Sequence, residues 1–362
     1  MRIFNRYFWQ ETSTNIFMIM LALLAMFSFF DLIQELDNLG KGEYDITRML
    51  LYVLLSIPSH VYDVVPVAVL VGMMASLGAL ARNSELVVMR VSGLSTLDIG
   101  LSLIKVGALF TIITFLVGEL VTPITEKMAQ RLHLKATDSV IAQDFKSGLW
   151  IKDGRSFVNV ENILPDATLL NIRIYEFDEN FRLRSISIAK QGGYEGERWG
   201  LQGVTQTKFN YAKKIENNSV QTQMFAKANW KSLIRPELLN VLLVAPEKMS
   251  TWNLYLFINH LLTNKQKATR YQVALWAKMT YPLACMVMVI LALPFGFIQQ
   301  RTGGASAKIF IGILLGIAYQ IMNRIFIHVG VLNDWPPLVS AIIPTILFLI
   351  AGLTMLFMVE RR

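Results

Sequence analysis

Apolar residues are spread unevenly along this chain. They gather into long runs towards both ends and alternate with polar residues in the middle. A membrane crossing needs about 20 mostly apolar residues. Six stretches reach that length: Ile16 to Leu36, Met49 to Ala81, Leu97 to Val121, Trp276 to Ile298, Ile309 to Gly330 and Leu338 to Val359. The first is too long for a signal-peptide core and lacks a small-x-small cleavage site, so it reads as a span. The second exceeds a straight crossing and contains Pro58 and Pro66, which predicts one tilted, kinked helix.

Between the two groups of spans the period changes to two. Leu149 to Val160 reads as two strands around the Asp153-Gly154 turn, Ile172 to Phe177 as a third, and Arg184 to Ile188 as another. Asp178-Glu179-Asn180, Gly192-Gly193 and Trp199-Gly200-Leu201 read as punctuation. The expected fold is a polytopic α-helical membrane protein with six transmembrane helices and an inserted all-β domain of the sandwich, jelly-roll or curved-sheet type. The expected divisions are 1–132 for the first transmembrane half, 133–250 for the β domain and 251–362 for the second half.

Composition agrees with a membrane protein. Of 362 residues 54% are hydrophobic and 17% charged, which excludes a disordered chain. The single cysteine, Cys285, cannot form an internal disulfide. The net charge of +8 suits an anionic lipid surface or cargo. Its distribution sets orientation. With the N-terminus inside, the cytoplasmic pieces carry Arg2, Arg6, Arg82, Arg90, Arg301, Lys308, Arg361 and Arg362, and the short external pieces only Lys41 and Arg48. Lys127, Arg131, Lys135, Lys265, Lys267 and Arg270 flank the middle domain and point the other way, but long domains cross largely regardless of charge. Both termini are then cytoplasmic and the β domain lies outside the inner membrane.

Catalytic motifs are missing. No G-x-x-x-x-G-K-[ST] loop and no G-x-S-x-G elbow occurs, and His60, His133, His260 and His328 lack metal-ligand spacing. The chain is expected to hold no catalytic residue, metal or cofactor of its own. Two other features carry chemistry. The segment Arg82-Asn83-Ser84-Glu85-Leu86-Val87-Val88-Met89-Arg90 lies in the first cytoplasmic loop, with Asn83 or Ser84 as helix cap and Gly93 as terminator. Two turns are too few to be stable alone, so Leu86 to Met89 must bury. The helix either lies on the membrane or docks into a cytoplasmic motor. Arg82, Ser84, Glu85, Leu86, Met89 and Arg90 are its candidate coupling residues.

The second feature is a set of ionisable groups inside the spans, each costly unless compensated. They are Asp31, Glu35, Asp63, Lys105, Glu119 and Arg324. Lys105 is placed to snorkel. Arg324 either pairs with Asp31, Glu35 or Asp63 or faces a cavity and meets an anionic headgroup. Phe27, Asp31, Lys41 and Arg324 are the candidate substrate-binding residues. The face Phe17, Met20, Leu24, Phe27 equally suits lipid packing, and Lys41 a solvated loop.

The order of segments, with Arg82 to Met89, then Gly148-Leu149-Trp150-Ile151-Lys152-Asp153-Gly154, then Arg270 to Lys278, resembles the LptF/LptG permease family of lipopolysaccharide export, and its LptG member more than LptF. The resemblance covers essentially the whole chain. It implies a bacterial inner-membrane subunit of an ABC-type exporter whose β-jellyroll is periplasmic. It also implies an LptF-like permease as heterodimer partner, an LptB-like ATPase dimer that uses ATP and Mg, an LptC-like single-span protein and lipopolysaccharide as cargo. Glu85 matches the acid of the family's coupling helix. Of the basic residues that the family places after the first helix, this chain keeps Lys41. An ion-driven transporter of an anionic lipid and a membrane-anchored scaffold are the rival readings. The former would need inverted repeats, yet Pro58 and Pro66 have no counterpart in the fifth span.

Overall fold

The computed structural model describes residues 2–93, 96–137, 148–164, 168–196, 198–211, 219–230, 232, 244–297 and 304–361. At 2–5, 86, 87, 90, 96–98, 297, 304–306 and 360 the description is of the backbone. Ten helices and six strands are described. The first membrane half holds α1 (Arg2–Glu35), α2 (Ile46–Arg82), α3 (Glu85–Val91), α4 (Thr96–Leu116) and α5 (Thr122–Ala136). The second holds α6 (Thr251–Thr263), α7 (Thr269–Thr280), α8 (Ala284–Phe297), α9 (Gly304–Leu332) and α10 (Pro337–Glu360). Six stretches are long and apolar enough to cross a membrane, at the expected places.

The helices differ from the sequence expectation where proline or polar residues act. Pro58 and Pro66 stay inside one continuous α2. In the turn before Pro66 the Asp63 carbonyl accepts from Tyr281 Oη and Gln320 Nε2, both at 2.6 Å, which ties α2 to the second membrane half. The third span does not stop at Val121. A π turn at Val117–Val121, just ahead of Pro123, joins α4 to α5 and carries the helix to Ala136. The fourth span is split by a 3-10 turn at Tyr281–Leu283 around Pro282. The 13-residue α6 is too short to register as a span, and its signal was the Ser250 cap, whose Oγ accepts from the Asn253 N–H.

Burial ranks the spans. In α2 and in the α7–α8 span 78% of the apolar window is buried, but in α1 only 11%. The core is therefore built on α2 and α8, with Leu70, Met73, Leu77, Leu103, Met288 and Leu291 fully enclosed. Gly72 lets α1 lie directly on α2, since a Cβ there would sit 2.6 Å from the Ile16 Cα. One turn on, Ser76 Oγ donates to the Gly72 carbonyl at 3.0 Å and accepts from Asn15 Nδ2 at 2.9 Å.

The β domain consists of β1 (Leu149–Asp153), β2 (Ser156–Ile163), β3 (Leu169–Phe177), β4 (Leu183–Tyr194), β5 (Trp199–Asn210) and β6 (Ser219–Trp230). They form one antiparallel sheet in sequence order. The first hairpin closes through Gly154 at φ +60 and Arg155, a turn that demands glycine at its first central position. Gly192-Gly193 and Trp199-Gly200-Leu201 do not interrupt the sheet. They lie within β4 and β5, and Gly192 leaves room for Ile172 and Leu201, whose methyls would lie 2.6 and 3.0 Å from a Cβ. Val158 opposite Ile174, Val160 opposite Ile172, and Trp199 opposite Trp230 supply its buried face.

Polar contacts hold both ends of α6, and those at its C-terminal end reach the sheet. Glu119, in the π turn, accepts the Thr251 N–H at 3.0 Å and the Thr251 hydroxyl at 2.7 Å, so a carboxylate sits on the N-terminus of α6. Lys278 Nζ lies 4.0 Å from Glu119 and donates to the Met249 carbonyl, while Lys248 pairs with Glu126 at 3.0 Å. At the other end of α6, Asn264 Oδ1 accepts the Gly154 N–H at 3.3 Å. Burial holds the nearby His260 imidazole below its usual 6.5, with Asp153 acting in the opposite sense. The folded state thus favours neutral His260. Its contribution is complete above the unfolded value and is lost as pH falls through the folded one. Acidification from about pH 7.5 to about pH 5 should lower the amide protection factors across 150–158, each taken against the intrinsic exchange rate at that pH. His260→Gln should flatten that response, and an unchanged response in the variant would exclude His260 as its source.

Candidate functional site

The coupling segment begins where α2 ends. Asn83 Nδ2 donates to Glu85 Oε1 at 3.2 Å, and Ser84 takes φ +58, a left-handed turn that redirects the chain into α3. The Ser84 carbonyl accepts from Val88, and Gly93 at φ +91 ends the helix as expected. Met89 is 8% exposed and belongs to the main core, whereas Val88 and Val91 are 63% and 83% exposed. Of the run from Leu86 to Met89 that was expected to bury, Met89 does so within this chain and Val88 is left open to a membrane or partner surface. Met89 anchors α3, and Val88 and Val91 form its outward face. The Val91 position was not singled out by the sequence reading. Arg82 and Ser84 are exposed and Glu85 is half-buried. The side chains of Leu86 and Arg90 lie outside the described residues. Phe8 of α1 and Met89 of α3 belong to the same buried core, which links α3 to the start of α1.

At the far end of α1 two carboxylates one turn apart meet histidines on other helices. Asp31 Oδ2 lies 2.5 Å from His60 Nε2 on α2, and Phe27 stacks on the same imidazole at 5.5 Å. Glu35 Oε2 lies 3.2 Å from His133 Nε2 on α5 and accepts from Tyr44 Oη at 3.0 Å and Asn38 Nδ2 at 3.1 Å. Burial, and next the Glu35 contact, push the Tyr44 phenol well above its ordinary range, so it stays a donor. His60 and His133 are the functional residues the sequence missed. They lie 29 and 98 positions from their acids, and only the packing of α1 on α2 and α5 brings them together.

Asp31 and Glu35 are thus each engaged with a histidine of another helix. Arg324, exposed on α9, makes no ion pair within 4.0 Å among the described residues, though Asp63 feels its charge. Internal pairing of Arg324 with Asp31 or Glu35 does not occur. Lys41 is exposed and donates to Asn38 Oδ1 at 2.8 Å, which places it beside the Glu35 cluster. Phe27 and Asp31 meet at His60, Lys41 lies at the end of α1 beside Asn38, and Arg324 on α9 forms no ion pair with any of them.

The outer basic cluster is also partly engaged. Lys267 Nζ lies 3.0 Å from Asp334 Oδ2, and Thr269 donates to Asp334 Oδ1 at 3.1 Å. These contacts, the Lys267 hydrogen bond first, hold the Asp334 carboxyl below the usual range.

Comparison with known proteins gives a consistent result. The model of the family described as lipopolysaccharide export system permease LptF/LptG matches residues 6–358. The chain is 31% identical over 356 residues to the lipopolysaccharide export system permease protein LptG of Escherichia coli K12, covering 98% of both chains. It is 30% identical over 348 residues to the protein of the same name from Haemophilus influenzae, covering 96% of both. A match over nearly the full length, together with six apolar helices around an inserted antiparallel sheet, places this chain in the LptF/LptG family of lipopolysaccharide export permeases.

Proposed function

We propose that this permease subunit converts a push on α3 into movement of α1, and so opens a path for lipopolysaccharide leaving the outer leaflet of the inner membrane. The observation that carries this reading is the run of α1. It is one helix of 34 residues without proline, about 50 Å long, from Phe8, which shares the main core with Met89 of α3, at one end to the His60 and His133 fastenings at the other. Its apolar window is the least buried of the six, so it is the span with the least internal packing to oppose displacement.

Extraction of a multi-acylated lipid exposes methylenes at about 0.8 kcal/mol each, which requires an external energy source. A separate ATPase dimer of the LptB type, bound to the face formed by Glu85, Val88 and Val91, would supply it. An LptF-like permease would complete the cavity, and an LptC-like single-span protein would join at the exposed face of α1. Both termini and α3 are then cytoplasmic, with the β sheet periplasmic. Lys41 and Arg324 offer cationic groups to the cargo's phosphates.

The test is Glu85→Ala, with Arg90→Glu as a second variant, in vesicles reconstituted with all subunits. Lipopolysaccharide release on ATP addition should fall at least about 10-fold, the loss expected when a docking contact of ~1.4 kcal/mol or more disappears. Expression and assembly should be unchanged. Wild-type release rates in both variants, or release sustained by an ion gradient without ATP, would refute the proposal.

A further inference from the structure

Away from the fastenings, at the N-terminal end of α1, an open cavity of about 690 Å³ separates α1 from α4. Arg6, Trp9, Ser13 and Thr14 line it from α1, and Ser102 and Lys105 from α4. Arg6 and Lys105 are both exposed, and among the described residues neither belongs to an ion pair. The Ser13 hydroxyl is buried and makes no hydrogen bond among the described residues.

The depth of these groups identifies what they could hold. Arg6 is the first residue of the α1 span, and Lys105 is six residues into the span that begins at Ile99, about 9 Å along the helix. That interval corresponds to the phosphate and glycerol level of one leaflet. A lysine at this depth reaches back to the interface, and an unpaired cation there is costly without an anion. The same faces continue as exposed apolar side chains, Phe17 and Leu21 on α1 and Ile113 on α4. A free phosphate would use the cations and leave that apolar stripe unused. A phosphate carrying acyl chains uses both. Basic pockets between membrane helices are suited to anionic headgroups for this reason.

We propose that the α1–α4 cleft is a site for a resident anionic glycerophospholipid, held with its phosphate between Arg6 and Lys105 and its chains along Phe17, Leu21 and Ile113. The site is distinct from the cargo path, since it lies at the opposite end of α1 from Lys41 and opens between α1 and α4. It leaves α1 fastened by a lipid at one end and by histidines at the other.

The full transporter complex, placed in nanodiscs of equimolar phosphatidylglycerol and phosphatidylcholine, tests this by native mass spectrometry of retained lipid. The wild-type complex should retain phosphatidylglycerol over phosphatidylcholine by about fivefold for each cation. Arg6→Gln/Lys105→Gln should abolish the preference. So should Thr14→Trp, which fills the cleft and keeps both charges. Arg361→Gln, near the C-terminus and away from the cleft, should not change it. Glycerol 3-phosphate in solution should not displace the lipid. A preference that survives both cleft variants would overturn the proposal, as would its equal loss in Arg361→Gln, which indicates diffuse surface charge. Displacement by glycerol 3-phosphate would make this a soluble-phosphate site. A photo-crosslink from position 105 to a partner helix, with no lipid retained, would make it a protein interface. Either result rejects the lipid.

Discussion

Gly72→Ala should destabilise the helical bundle by about 1–3 kcal/mol, whereas Gly78→Ala, six residues along the same helix, should be neutral or stabilising by up to ~1 kcal/mol. The two glycines differ in what a methyl would meet. At Gly72 it would lie 2.6 Å from the Cα and 2.8 Å from the N of Ile16, both backbone atoms that cannot rotate away. At Gly78 nothing lies within 4 Å, so only the gain in helix propensity remains. Parting α1 from α2 at Gly72 also pulls Asn15 from Ser76, which lies one turn away. Thermal unfolding of the purified complex in detergent measures both variants. Equal midpoints would show that α1 does not lie against α2 at that crossing.

Glu119→Gln should cost about 3 kcal/mol and loosen the start of α6. The carboxylate uses both oxygens on the Thr251 N–H and one on its hydroxyl, and it is the acid nearest the buried Lys278 ammonium. An amide has a single acceptor oxygen and no charge, so Thr251 loses part of its cap and Lys278 its counter-ion. Amide exchange at 251–254 should rise before exchange in the β sheet does. Lys278→Met added to Glu119→Gln should recover part of the loss by removing the stranded charge. A double variant no more stable than the single one would show that the two charges do not interact.

How far the sequence could be read followed from the range of the forces involved. Span positions depend on composition over some twenty neighbouring residues, and all six were legible. The Asp153-Gly154 hairpin was legible because glycine at φ +60 is a local requirement. The extent of β4 was not, because Gly192 and Gly193 look like a break until Ile172 and Leu201 are seen packing beside them. In the candidate site, Glu85 and the end of α3 at Gly93 could be read from capping chemistry. The inward turn of Met89 could not, since it depends on the core that α3 meets. Asp31 and Glu35 stood out as charges in an apolar helix. Their histidine partners did not, because His60 and His133 belong to other helices and follow no spacing rule. Arg324 was recognised for the same reason as Asp31, but its exposure depends on how α9 packs and could not be read from the sequence.

The π turn at Val117–Val121 carries a consequence for how this protein tolerates length changes. A wide turn holds one more residue than an α turn would. Deleting a single amino acid from it would let the turn rewind as ordinary α-helix and leave the phase of everything C-terminal nearly unchanged. Deleting one from a regular α turn of α4 would instead rotate that part by about 100°, and the face of α5 that presents Glu126 to Lys248 and His133 to Glu35 would swing away from both. One residue of surplus at this bend thus gives the span a place where its length can change without turning its last third.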